Sequence, residues 1–413
     1  MKEAFQDTKQ SPLTVLRGRV EIARRADLSR YPHWTHAFST ERKDHRYYQL
    51  VEDTIQQGFD YRYFVVKDAG GDVCAIQPFF TLNQDLLAGV GGRIKTAAEF
   101  IRRWWPGFMQ MRTLMLGCAA GEGRLDRASG SPSRADEECL AGAITQHARH
   151  LKARLIVLKE FPAEYRDSLR CFLDHGYTRI PSLPMVSLDL DYADFDDYMK
   201  RGVSRRMRSD LRRKFRDAAA AAPIQMSVVT DVTPFVDEIY PLYLQVYERS
   251  TLRFEKLTKE FLCSIGRVMP DKVRFFIWRQ SGKPIAFSLS MIHGDAVYAE
   301  YLGLDYSVAL KLHLYFYAFR DLMTWAIANG YKRYVSTGLN YEPKWHLRFQ
   351  LYPLDLYVRH TSGILNMALS RILPLLEPTR YDQTLRRFSN YNELWHSAPG
   401  AKAEEATPSH PVA

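Results

Sequence analysis

The chain has 413 residues, 46% of them hydrophobic, which is enough to bury a substantial core and more than one typical domain holds. Lysine and arginine number 57 against 47 aspartates and glutamates, a net charge of +10 that favours phosphate-bearing partners such as nucleotide-linked cofactors, RNA or anionic headgroups. Five scattered cysteines show no CxxC pair or metal-ligand spacing, and there is neither a long apolar run nor a leader-like N-terminus, so a cytoplasmic protein without disulfides, metal or a membrane span is expected.

After a polar leader, RVEIARR at 19–25 reads as a strand and the segment to about residue 57 as helical. YRYFVVKD (61–68) and DVCAIQPFFTLNQ (72–84) alternate around Gly70-Gly71 and predict a hairpin. The segment 93–112 sets arginines beside Trp104 and Trp105, a composition that suits a membrane interface or the mouth of an acyl-chain tunnel, with a packed helix as the alternative. Trp105 is the candidate substrate contact there. The strand TLMLG (113–117) runs into a loop where Gly117, Gly121 and Gly123 allow backbone to approach a phosphate and Arg124 adds a charge; a plain loop is the alternative. A helix near 135–151, a strand at 154–160, a helix over 164–175 and a strand at 185–190 complete one α/β unit.

The second half replays that order. A basic helix at about 196–220 precedes a strand (225–231), helices over 234–248 and 257–268, a hairpin (273–280 and 284–293), a strand (296–305), a long helix from about 307 and a strand at 331–337. The expected architecture is α/β, with two tandem domains at 15–190 and 191–396, each a mixed twisted sheet flanked by helices. A disordered tail at 397–413 is expected from its composition.

Chemistry is expected at four places. From Lys200 to Arg216 nine cations face one aspartate, while Val203, Met207, Leu211 and Phe215 recur at four-residue spacing; one face should pack, leaving Arg205, Arg208 and Arg212 for tRNA phosphates, a nucleotide-linked acceptor or anionic lipid, but not DNA. Ser307 and Lys311 open the helix after strand 296–305, where a helix N-terminus can hold a phosphate; a capped core helix with Ser307 as N-cap is the alternative. Glu300 alternates with Tyr298 and Leu302, and desolvation on a cleft-lining face would make Glu300 a general base beside a substrate-contacting Tyr298, ahead of Glu248, His293 and Asp305. Gly338, Tyr341 and Lys344 follow strand 331–337, where a cation and a hydroxyl could stabilise an oxyanion. The stretch SGILNMALSRILPLLEP (362–378) shares the interfacial character of 93–112.

The repeated element order resembles tandem GCN5-related N-acetyltransferase (GNAT) domains. The second half, with RRMRSDLRRKFRDA opening it and Gly338-Leu-Asn-Tyr341-Glu-Pro-Lys344 after its fifth strand, is similar to the BioF2-like and Fem-type branch. The turn Tyr306-Ser-Val-Ala-Leu-Lys311-Leu-His313 departs from the glycine-rich phosphate turn of ordinary GNATs. What the resemblance implies is an N-acyltransferase that takes acyl-CoA or acyl carrier protein as co-substrate, with Lys344 on the oxyanion and an amine of a small molecule or peptide as nucleophile. An aminoacyl-tRNA donor is the Fem-type alternative. A non-catalytic module for an anionic ligand or partner, or a protein peripheral to a membrane, is the reading from another class.

Overall fold

The computed structural model describes residues 20–85, 100, 110–127, 134–250 and 252–396. In chain order the first half supplies β1 (Val20–Ala23), α1 (His45–Thr54), β2 (Asp60–Lys67), β3 (Val73–Asp85), β4 (Gln110–Leu116), α2 (Arg134–His150), β5 (Leu155–Pro162), α3 (Arg170–Asp174), β6 (Thr178–Pro181) and β7 (Met185–Asp189). The second supplies α4 (Phe195–Arg201), α5 (Arg205–Ala219), β8 (Ile224–Val229), α6 (Val236–Arg249), α7 (Lys259–Val268), β9 (Val273–Gln280), β10 (Lys283–His293), β11 (Ala296–Leu304), α8 (Tyr306–Ala309), α9 (Leu314–Ala328), β12 (Arg333–Ser336), α10 (Tyr341–His346), β13 (Gln350–Tyr352), β14 (Leu354–His360) and α11 (Gly363–Leu376).

These strands form two seven-stranded mixed sheets, ordered β1-β2-β3-β4-β5-β14-β6 and β8-β9-β10-β11-β12-β7-β13. The expected α/β fold with two tandem sheet-and-helix units is the one observed. Position for position the two orders agree, and each contains one parallel pair, β4 with β5 and β11 with β12. The sixth strand of each sheet comes from the other half. A cut at residue 190 therefore does not separate the sheets, because β7 pairs with β12 and β13 while β14 lies between β5 and β6. The exchanged β14 is pinned through Asp355, fully buried, which accepts from Arg166 at 2.6 Å and Arg179 at 2.9 Å.

One apolar core runs across both halves, joining Tyr63, Val65, Ile76 and Phe80 of the first sheet to Phe275, Ile277, Phe287 and Leu289 of the second, with α1, α6 and α7 packed into it. The outer face of the second sheet is covered by α4, α5 and α9. The basic segment is two helices rather than one. Gly202 packs so closely on Tyr198 and Tyr192 that a β-carbon has no room, and Ser204 then caps α5 by accepting from the Met207 N–H at 3.2 Å. Val203, Met207 and Leu211 are buried as their spacing requires. The segment 93–112, including Trp105, lies outside the described residues except for Phe100 and the start of β4; the tail 397–413 lies outside them too.

Candidate active site between the two halves

β11 and β12 run parallel from Ala296 and Arg333 to Ala299 and Ser336, where β12 ends and β11 continues alone. At the same point the pairing with β10 slips: Ser290 faces Ala299 and Leu289 faces Tyr301, leaving Glu300 as an extra residue. Such a bulge re-aims the side chains that follow it. Val297 and Ala299 before it, and Leu302 and Leu304 after it, all pack in the core under α9. Glu300 and Tyr301 consequently join Tyr298 on the face toward the first half. Leu302, expected beside Glu300, is on the opposite face.

Glu300 meets Arg42 and Lys43 from the approach to α1. Arg42 pairs with both Glu300 and Glu122 and covers the Tyr298 ring, its guanidinium 4.1 Å from the ring centre; Lys43 reaches Glu122 at 2.8 Å and Glu300 at 3.2 Å. All four charged side chains are buried. Burial alone would raise the Glu122 carboxyl, but Arg42, Lys43 and Arg124 overcome it and hold Glu122 well below the usual carboxylate range. Burial pulls Lys43 below its ordinary value, with Glu122 opposing. Glu300 thus faces the other half as expected, but it is locked between two cations rather than left to accept a proton from an acceptor.

The glycine loop serves the same network. Gly121 has φ +113° and lies against the Lys43 ammonium, Gly117 has φ +122°, and Gly123 is pressed against the Lys159 carbonyl and the Phe161 ring. The chain's own atoms fill the close approach that the glycines permit. Arg124 is buried and shared among Glu164 at 2.6 Å, Glu41 at 3.3 Å and Glu122 at 3.6 Å. These four residues are occupied within the fold instead of forming an open phosphate cradle.

Tyr341 and Lys344 are not at a strand end but on α10 and both are buried. The Tyr341 hydroxyl donates to the Pro184 carbonyl at 2.9 Å. The Lys344 ammonium donates to the Thr337 carbonyl at 2.5 Å and the Leu339 carbonyl at 2.9 Å, with Gly338 at 3.5 Å. Burial pushes its pKa down to about 7. Lys344 therefore holds the loop after β12, which passes through left-handed Leu339 and Asn340. Its three donors are spent on that loop.

The helix expected from 307 begins at Leu314, after left-handed His313. Asp305, not Ser307, caps the short α8, accepting from the Ser307 N–H at 3.0 Å and its hydroxyl at 2.6 Å. Lys311 is exposed in the turn between α8 and α9. Beside the start of α9 lies a groove of about 640 Å³ bounded by Arg206, Lys214, Phe316, Pro343, His346 and Arg387, with Asp210 and Glu342 on its walls. Along α5, Arg205, Arg206, Arg212 and Arg216 are exposed without an acidic partner among the described residues, and Arg208 instead donates to the Lys200 carbonyl at 2.6 Å.

The acetyltransferase (GNAT) domain family matches residues 205–344, which run from the first residue of α5 to Lys344. That segment is a GNAT domain. The second half thus carries an acetyltransferase-type domain, and the paired sheets give the chain a tandem arrangement. The chain is also similar to a protein named putative 8-amino-7-oxononanoate synthase 2 from Mycobacterium tuberculosis, at 22% identity over 83% of this chain and 46% of that protein; the chain spans less than half the length of this curated relative. Among solved structures it is similar to L-PGS from Bacillus licheniformis (12% identity, 80% of this chain and 95% of that one, TM-score 0.47) and to FemX (11%, 80% and 93%, TM-score 0.47). Neither structure is close enough to argue from.

Beside the GNAT domain's strand parting is an acid and phenol pair that sequence reasoning missed. The Tyr301 hydroxyl donates to Glu255 Oε1 at 2.8 Å, and burial together with Glu255 pushes the phenol well above its ordinary value. Glu255 is half-buried and acts on Lys159 of the first half, whose ammonium burial would lower but Glu160 and Glu255 raise. Glu255 ends the same YERSTLRFE stretch from which Glu248 was considered; Glu248 is exposed. Its only sequence signal was that neighbourhood, and Arg42, Lys43 and Glu122 carried none.

Proposed function

We propose that the protein is an N-acyltransferase that works where β11 and β12 part, with an activated donor held in the α5–α9–α10 groove and an amine acceptor between the halves. Glu255 takes the proton of the acceptor ammonium, directly or through Tyr301. The amine then attacks the acyl carbonyl; the C–N bond forms, the bond to the leaving thiolate or ester oxygen breaks, and the proton returns to that leaving atom. Support comes above all from the GNAT match ending at Lys344, since it encloses α5, the bulge at Glu300 and Tyr301 and the loop pinned by Lys344. Among the described residues Arg206 is the unpaired cation of the groove that a donor phosphate could meet, with Lys214 and Arg387 beside it already held by Asp210 and Glu342. Lys344 positions the loop in this reading, and Tyr298 with Glu300 shapes the face on which the acceptor rests.

One observation favours an aminoacyl-tRNA as donor in place of a CoA or carrier-protein thioester. The unpartnered arginines of α5 extend beyond the groove to an open dish where Arg205, Arg206 and Arg216 lie beside Arg213, itself paired with Asp210 and Asp217, more cationic surface than one pyrophosphate would use. The test is a donor panel of acyl-CoA, acyl carrier protein and charged tRNA against an amine library, with the leaving group measured, for wild type and Glu255→Gln. Turnover with one donor class, reduced about 100-fold or more in the variant at unchanged melting temperature, is expected. Full activity in Glu255→Gln removes that residue's role, and absence of turnover with every donor removes the acyl-transfer reading.

A further inference from the structure

The helix α11 is amphipathic the wrong way round. Its inward side carries Asn366, Leu369, Ser370 and Leu373; the Asn366 side chain accepts from the His360 N–H and donates to the Gly176 carbonyl, each at 2.8 Å. Its outward side carries Ile364, Leu365, Met367, Ala368, Ile372 and Leu375, with Ile364 79% and Leu375 60% exposed. Arg371 is the only charged residue from 363 to 376. A contiguous apolar face of this kind marks a surface that something covers.

The charges around it indicate what. Tyr381, 65% exposed, is tied to the helix end through its hydroxyl on the Leu375 carbonyl, and Arg386 donates to the Arg380 carbonyl just beyond. The acids of this stretch point into local turns: Glu377 accepts from the Thr379 N–H and hydroxyl, and Asp382 from the N–H groups of Thr384 and Leu385. Arg386 is exposed beside the helix end, and the next residue, Arg387, is held by Glu342. No helix among the described residues is long and apolar enough to cross a membrane, and α11 at 14 residues is well short of the length needed.

We propose that α11 is an interfacial helix that lays the Ile364, Leu365, Met367, Ile372 and Leu375 face into the headgroup region of an anionic bilayer, with the exposed Arg371 and Arg386 on lipid phosphates. The proposal does not depend on the acyl-transfer reading. It is tested by sedimenting the full chain with phosphatidylcholine vesicles, alone or with about a third phosphatidylglycerol, at about 0.15 M salt. Leu365→Ser/Ile372→Ser and Arg371→Gln/Arg386→Gln are compared; all four side chains are exposed, so melting temperatures should match wild type. Binding to the anionic vesicles is expected, weakened about tenfold or more by the serine pair and about fivefold for each arginine removed. Three outcomes overturn the proposal: no partition into anionic vesicles, partition that the serine pair leaves unchanged, or a concentration-dependent dimer that the serine pair abolishes in a protein that ignores vesicles.

Discussion

At the scale of single residues, the network at the junction of the halves is held by complete pairing, and that makes it intolerant of partial removal. Arg42, Lys43, Glu122 and Glu300 carry two positive and two negative charges in a buried space, so the four side chains offset one another's desolvation only together. Glu122→Gln keeps the shape and leaves the cations under-compensated. A loss of about 3–5 kcal/mol in denaturant unfolding is expected, the range for breaking a buried pair on one side. The pH dependence has a definite sign. Because the folded pKa of Glu122 is depressed, its stabilisation is fully present above the ordinary carboxylate value and disappears as pH falls from there toward the folded value. The wild type should therefore lose stability on acidification more steeply than the Gln variant, and an equal acid slope in both would show that Glu122 is not the group responsible.

At the scale of elements, α10 and the loop before it act as a unit because one ammonium gathers consecutive carbonyls. Lys344→Met retains the apolar stem but removes the donors to Thr337 and Leu339, so about 1–3 kcal/mol should be lost and amide exchange over 337–341 should accelerate, with turnover falling more than substrate affinity. A variant that exchanges like wild type but has lost turnover would instead return Lys344 to the reacting atoms. The same element shows what the sequence could and could not convey. Hairpins around Gly70-Gly71 and Ser281-Gly282, and the buried stripe that runs from Val203 ahead of α5 to Met207 and Leu211 within it, were legible because local periodicity and turn chemistry determine them. The motif Gly338, Tyr341, Lys344 marked the right place, but whether Lys344 faced a cleft or its own loop depended on backbone turns at Leu339 and Asn340 that no spacing encodes. The bulge at Glu300 was equally hidden, since one extra residue in a register leaves no mark on alternation until the partner strand is known. Arg42 and Glu122 are separated by 80 residues and meet only through the tertiary packing of the first half, and Glu300 reaches them from the second.

At the scale of the whole molecule, reciprocal strand exchange makes the two GNAT-like units one folding unit. A fragment ending at residue 190 keeps β6 but lacks β14, the strand that connects β6 to its sheet; a fragment starting at 191 keeps β13 but lacks β7, which joins β13 to β12. Each fragment would expose an unpaired edge and the apolar face shared in the central core, a combination that favours aggregation. Either half expressed alone should therefore be insoluble or partly folded, whereas the two co-expressed should assemble and co-purify. The intact chain should unfold in a single transition, with fluorescence of Trp34 in the first half and Trp278 in the second, read in single-tryptophan variants, moving at the same denaturant concentration. Two separated transitions, or a stable soluble fragment, would mean that the exchanged strands contribute little and that the halves behave as independent domains. The coupling also bears on function, because Glu255 and Tyr301 come from one half while Lys159 and the Arg42 network come from the other. Reconstituted fragments should recover transferase activity only in proportion to the assembled complex, so activity titrated against a fixed amount of one fragment should saturate at equimolar partner.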